Sequence, residues 1–502
     1  MYVSIVVCVF VAVRASSSAG TGAVDGVWLN RLAGERGSAM SVDVGGVASS
    51  VRRELGPDLR GEVVGPLDRG YDTARAVFNG MVDRRPLAVV RAVDASDVRR
   101  CITFARRHDL PLSVRGGGHS VAGHAVGDGG VMLDLSGMKD LRVDPETRTA
   151  RAEPGLTLGE FDHATHELEL ATTLGVVSTT GIAGLTLGGG LGWLNGCHGL
   201  ACDNLISAEV ATADGQLLRT SGQENEDLFW AIRGGGGNFG VVTAFEYQLH
   251  PVDLVLAGGL SYPLSMAPVV LRFYDEFAKA APDELSTVAS LGLNPVGEPM
   301  VSIVVCYCGP MDEGERVLRP LRTCRSLVDD TIQPVPYTVL QSARDEGYPF
   351  GRLHYWKSGW LRDVTDAAIE TLMEFVPQLP SSLSGVGLQQ MHGVASRVAP
   401  SATAFAHRAE QFDFLIGSQW SDAADSERNI QWTTALFEAM QPHLDESVYV
   451  NNLGDEGPGR VQEAYGENYP RLVAVKRTYD PDNVFRANQN VDPSTDIAGG
   501  VE

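Results

Sequence analysis

The stretch LSVRGGGHSVAGHAVGDGGVMLDLS, residues 112–136, places three consecutive glycines, Gly116–Gly118, between Arg115 and His119, after one apolar run and before another. Upstream, Leu87–Val93 reads as a strand. Ser96 reads as the cap of a helix whose Val98, Cys101, Ile102 and Ala105 recur at i, i+3, i+4 and i+7. Leu112–Val114 is then a second strand, so the glycines close a strand-helix-strand unit. Downstream, Val131–Leu135 and Thr149–Glu153 read as strands. Thr157 and Glu160 form a capping box for a helix through His166, and Asp214-Gly215 turns a hairpin between Ala208 and Thr220.

Two more glycine clusters follow, Gly188–Gly190 with Gly192 and Gly234–Gly237 with Gly240. Glycine reaches positive φ and lets backbone N–H groups approach a ligand with no Cβ in the way, which suits a pyrophosphate. One such loop alone reads more readily as a tight turn; three together point to a large, anionic, deeply held cofactor. Glycine becomes ordinary after about residue 255, which marks a domain boundary. Beyond it, amphipathic stretches such as Ala267–Ala281 and Thr365–Val376 alternate with strand-like runs such as Val301–Cys306, an α/β layer with its own core.

At 502 residues, 44% hydrophobic and 21% charged, the chain can bury a core in each of two domains. A formal charge of -23 repels nucleic acid and anionic lipid at long range, so small molecules are the expected partners and no obligate protein partner is evident. Seven cysteines in irregular spacing, with Cys8, Cys306 and Cys308 in apolar runs, argue against a disulfide framework and for a reducing compartment. Residues 3–13, VSIVVCVFVAV, are too short to span a bilayer and lack a basic leader segment. A cytoplasmic location is therefore expected, with secretion through this segment as the alternative. Residues 1–39 read as an extension ahead of Met40, and SSSAGTG as disordered.

Two motifs are rejected on context. Gly235, Gly237 and Gly240 satisfy G-x-G-x-x-G, but a helix-like EDLFWAIR precedes them and the strand Val241–Leu249 follows, the reverse of a dinucleotide-binding turn. Cys197, His198 and Cys202 lack a second ligand pair at metal spacing, so no metal is expected. No G-x-S-x-G elbow or P-loop occurs.

The segments VRGGGHSVAG, STTGIAGLTLGGGLGW, GLACDNLISAEVATADG, DLFWAIRGGGGNFGVVT, YVN and YDPDNVFRANQN, in this order, resemble the berberine bridge enzyme-like FAD-linked oxidoreductases of the vanillyl-alcohol oxidase superfamily, closest to the prokaryotic branch. The likeness spans about residues 65 to 495. It implies an α+β fold, a two-part FAD-binding domain with an inserted α/β substrate domain. The expected division is an extension over 1–64, partly disordered, the FAD-binding domain over 65–254 and the substrate domain over 255–447. A segment over 448–495 returns to the FAD domain, and 496–502 is a tail.

The resemblance also implies site residues. His119 would bond the 8α-methyl carbon of FAD, with Arg115, Gly116, Gly117, Gly118 and Ser120 around it; Val177 stands where some relatives carry a second, cysteinyl link, so attachment through His119 only is expected. Gly184, Thr186, Gly188 and Gly189 match the loop along the diphosphate and ribityl chain. Asn238 and Val242 match a cofactor-facing turn, and Asn488 and Asn490 the returning tail. Tyr449, with Asn451 beside it, would be the base. A phenol of pKa ~10 needs a neighbouring cation for that role, and Lys357 in HYWKS is the candidate. No base is expected near Leu415–Gly417, which disfavours berberine-type ring closure. Gly196-Cys197-His198 departs from the Arg-Lys-Tyr common in relatives and puts local packing near the flavin in doubt. The implied activity is oxidation of an alcohol, sugar or secondary-metabolite hydroxyl by hydride transfer to flavin N5, with O2 as acceptor. A dehydrogenase using another acceptor and a flavin-binding protein without turnover are the alternatives.

Overall fold

A computed structural model describes residues 51–294, 296–324 and 326–496. The expectations for the extension ahead of residue 51 and for most of the tail lie outside these residues. Three sheets carry the architecture. The first contains β1 (Glu62–Val64), β2 (Ala88–Arg91), β3 (Leu112–Arg115) and β4 (Val131–Asp134) in the order β1-β2-β4-β3. Strands β2, β4 and β3 run parallel, joined through helix α1 (Ala95–Arg107). Its Val98, Cys101, Ile102 and Ala105 are fully buried, as the periodicity requires. The cap, however, is Asp94 rather than Ser96: the extended Asp94 accepts from Asp97 N at 3.0 Å, which starts the helix at Ala95.

The second sheet is antiparallel: β5 (Leu141–Asp144), β6 (Thr149–Ala152), β7 (Leu205–Ala211), β8 (Leu217–Ser221) and β9 (Val241–Gln248), ordered β5-β6-β9-β7-β8. Thr157 and Glu160 cap α2 (Leu158–His166) reciprocally. Gly215, at φ +82, turns the β7–β8 hairpin. The helix α3 (Ile182–Leu187) and the short α4 (Asn195–His198) come between β6 and β7 in the chain, and α5 (Glu226–Ile232) precedes the third glycine cluster.

The third sheet begins at Leu254 and comprises β10 (Leu254–Pro263), β11 (Leu285–Leu293), β12 (Pro299–Tyr307), β13 (Asp329–Asp330), β14 (Gln333–Pro336), β15 (Leu353–Leu361), β16 (Gly385–Met391) and β17 (Gln411–Trp420). Its path is β13-β10-β12-β11-β16-β17-β15, with β14 also on β10. Every pair is antiparallel, so the helices between strands do not act as parallel crossovers. Four of them gather on one face instead, while the helix over residues 337–342 packs on the other. Tyr274 and Leu271 of α6 (Ala267–Lys279), Leu321 of α7 (Met311–Arg322), Ile369 of α8 (Asp366–Phe375) and Leu436 of α9 (Ser426–Met440) bury alternate strand residues such as Leu291, Ile303, Leu388 and Phe414. Alternation turns Ser290, Ser302, Gly387 and Leu415 to the opposite face, toward the first two sheets. Finally α10 (Tyr469–Tyr479) leads the chain back to them. The described cysteines are free thiols, and Cys308 donates to Cys197 Sγ at 3.4 Å.

Candidate active site

The glycine loops, the returning segment and the open face of the third sheet enclose a cavity of about 370 Å³. At its first wall, Gly117 and Gly181 meet back to back: a Cβ on Gly117 would stand 2.4 Å from Gly181 N, so only glycine permits this approach. Gly118 takes φ +68, which turns His119 toward the cavity. The His119 ring stacks on Phe78 at 3.9 Å, and Phe78 stacks in turn on buried His354 at 4.3 Å. His119 Nε2 lies 3.5 Å from Thr179 Oγ1, and burial lowers the ring's pKa to about 4, so it is neutral at physiological pH.

Gly116, Gly117, Gly118, Ser120, Gly184, Gly188, Asn238, Val242, Asn451 and Asn488 line the cavity with His119. Gly184 and Gly237 have nothing within 4 Å of an added Cβ, so any side chain there would stand in the cavity itself. Asn238 is fully buried and pins the returning segment, donating to Gln489 O at 3.1 Å and accepting from Val491 N at 2.9 Å. Beside it, Lys476 Nζ donates to Asn238 O, Asp480 Oδ2 and Phe485 O at 2.8, 2.6 and 2.9 Å.

Four expected cofactor contacts are corrected. Arg115 points away from the cavity and grips Asp134 through Nε at 3.0 Å and Nη2 at 2.5 Å, a clamp between β3 and β4. Thr186 is buried against Tyr247, with the two hydroxyls 2.9 Å apart. Gly189 faces Phe405, 2.7 Å from where its Cβ would be, and not the cavity. Asn490 is also off the lining, and Gln489 takes that place.

The catalytic pairing is corrected too. Lys357 shares the helix-covered face of β15 with Leu361, where its Nζ pairs with Glu456 at 2.6 Å and lies over the Phe437 ring. Trp356, one residue away, faces the cavity. No cation therefore reaches Tyr449 from this position. The Tyr449 oxygen instead accepts from Gly190 N, Leu191 N and Asn451 Nδ2 at 3.0, 3.1 and 2.8 Å. Burial outweighs these donors and pushes its pKa up to about 12, so it keeps its proton at neutral pH.

One cavity acid that the sequence does not single out is Asp413. It lies on β17, two residues before Leu415 and on the same open face, buried and lining the cavity. Asn452 Nδ2 donates to Oδ2 at 2.6 Å, while Oδ1 has no protein partner. Burial raises its pKa to about 7. The signal was a lone acid inside the apolar run QFDFLIG, placed by strand alternation beside Leu415 and Gly417. The Gly196–His198 departure packs without difficulty. A Cβ on Gly196 would stand 2.3 Å from Asp283 O and 2.5 Å from His392 Nε2, and His198 stacks on His250 at 3.7 Å, away from the cavity lining.

The lining fits a large polar cofactor. Buried His124 Nε2, Trp356 Nε1, Asp413 Oδ1 and Asn488 Oδ1 all belong to lining residues and lack protein partners. The family described as FAD binding domain matches residues 86–221, and the family described as berberine and berberine like matches residues 448–492. (R)-6-hydroxynicotine oxidase of Paenarthrobacter nicotinovorans is 32% identical over 453 residues, 87% of this chain and 97% of that one. An FAD-linked oxidoreductase of Dictyostelium discoideum is 31% identical over 420 residues, 83% of this chain and 91% of its own. The crystal structure of 6-hydroxy-D-nicotine oxidase from Arthrobacter nicotinovorans superposes with a TM-score of 0.81 at 30% identity, covering 87% of this chain and 99% of that one. Among the described residues no helix is long and apolar enough to cross a membrane. Identity at this level over nearly the full length of both chains places the protein in the berberine bridge enzyme-like family of FAD-linked oxidoreductases, within the vanillyl-alcohol oxidase superfamily.

Proposed function

We propose that the chain oxidises a substrate hydroxyl, with Asp413 as the base, His119 as the single covalent tether of FAD, and molecular oxygen as the final acceptor. Bound FAD would supply the hydride acceptor at N5. The observation that carries the reading is the Asp413 carboxyl: buried, facing the cavity, one oxygen unpartnered and a pKa near neutrality. A general base works best with its pKa near the operating pH, and Asp413 meets that condition where Tyr449 does not. Asn452 fixes the second carboxyl oxygen, so Oδ1 takes the hydroxyl proton. Tyr449, held by three N–H groups, keeps its own proton and positions the substrate oxygen. The uncharged His119 ring, aligned by Phe78, keeps a nitrogen lone pair available for the bond to the flavin methyl carbon.

Asp413→Asn tests the base. Flavin absorbance should be retained while turnover on the best alcohol of a substrate screen falls about 10²–10⁴-fold. Wild-type turnover in that variant removes Asp413 from the role. Acid denaturation tests the tether separately: the yellow chromophore should stay with the polypeptide in the wild type and leave it in His119→Ala.

A further inference from the structure

A second cavity, of about 320 Å³, lies between the open face of the third sheet and the helix over residues 337–342. It adjoins the flavin cavity: Val288, Arg344, Tyr348, Gly387 and Leu415 line both. Its floor is unusually flat. Register places Ser261, Ser302, Ser290 and Gly387 side by side on four neighbouring strands, with Asp329 beyond Ser261 at the far edge. None of the four carries a side chain longer than serine, and a Cβ on Gly387 would meet nothing within 4 Å. From Asp329 to Gly387 is four strand spacings, about 19 Å at ~4.8 Å each. The walls are apolar: Trp193, Val304, Val335, Val339 and Leu340. Asn294, Thr331 and Gln333 also line the trough, and its apolar walls suit the faces of fused aromatic rings.

Arg344 supplies the polar end. Its Nε is buried without a partner, and among the described residues no carboxylate or carbonyl accepts from its guanidinium. The adjacent Asp345 is engaged by Ser178 N and Oγ at 2.9 and 2.5 Å. The guanidinium instead lies 5.6 Å from the Tyr348 ring centroid, at the junction of the two cavities. An unpaired arginine held there favours an anion, and Asp329 at the opposite end disfavours one. We infer that the second cavity takes a flat aromatic portion of the substrate, its rings along the serine-glycine floor and a carboxylate or acidic phenol on Arg344.

The inference rests on the oxidoreductase reading for the reaction, but its test reads binding alone. The FAD-loaded protein is titrated by calorimetry with 2-naphthoate, 2-naphthylmethylamine and cellobiose, and the flavin spectrum is recorded in parallel. Naphthoate should bind tightest and perturb the flavin bands. Arg344→Gln should weaken it roughly tenfold to a hundredfold, with Arg344→Lys restoring part of the loss, and Gly387→Leu should abolish it by filling the floor. Tighter binding of the amine or of cellobiose, or a naphthoate affinity unchanged in Arg344→Gln, overturns the inference. A protein that takes up no flavin overturns the cofactor reading instead, while calorimetry still reports whether naphthoate depends on Arg344.

Discussion

Single residues in this protein acquire their roles from which face of a strand they occupy. Lys357 and Trp356 are neighbours in sequence, yet one pairs with Glu456 beneath the helices and the other faces the flavin cavity. Lys357→Met should therefore leave turnover unchanged and cost stability, about 1–3 kcal/mol, since Glu456 keeps Arg460 at 3.8 Å as a second partner. Equal thermal midpoints with lost turnover would restore the lysine to the active site. Asp413 makes the complementary prediction. With its pKa raised to about 7 by burial, the ionised, proton-accepting form grows as pH rises, so kcat/KM should climb through about pH 7. That limb should vanish in Asp413→Asn.

At the scale of elements, the cofactor cradle is a set of turns held by contacts from distant segments. Gly184 sits within α3 with open cavity where its Cβ would be. Gly184→Val should lower FAD retention while the flavin-free protein unfolds at the wild-type urea midpoint; a parallel loss of both would mean that the helix, not the cavity, had been disturbed. The returning segment depends on Lys476 of α10, fully buried with Asp480 and bonded to two carbonyls. Removing one member of a buried pair strands the other charge. Lys476→Met should cost about 3–5 kcal/mol in urea unfolding and release the turn that carries Asn488.

For the whole molecule, buried titratable groups set the acid limit. Burial holds His198 and His392 down to about 4 and His354 to about 3. Unfolding returns them to the ordinary value near 6.5, so between about pH 6.5 and 4 the unfolded chain binds more protons and acidification destabilises the fold. Asp162 and Asp413 oppose this: burial raises both to about 7, the folded chain holds their protons first, and acidification through about 7 to 4 favours it. His124, His250 and His407 are also held low, so the histidines prevail. The thermal midpoint should fall as pH drops from about 6.5 to 4.5; a rising midpoint would mean that the two aspartates dominate.

Local pattern sufficed for much of this protein. Helical periodicity in α1, the Thr157–Glu160 box, the Asp214-Gly215 turn and the clustered glycines depend on residues within a few positions of one another, so they are legible in one dimension. The ordered motifs also carried the resemblance to the FAD-linked oxidoreductase family, and each of the three glycine clusters contributes residues to one cavity. What only the tertiary structure decided was orientation. Whether Arg115 reaches a ligand or grips Asp134, whether Lys357 meets Tyr449 or Glu456, and whether Asp413 is sealed in the core or faces the cavity depends on partners 19 to 99 residues away. Strand alternation offers each residue two faces, and only the packing of the helices on one of them determines which face is left for chemistry.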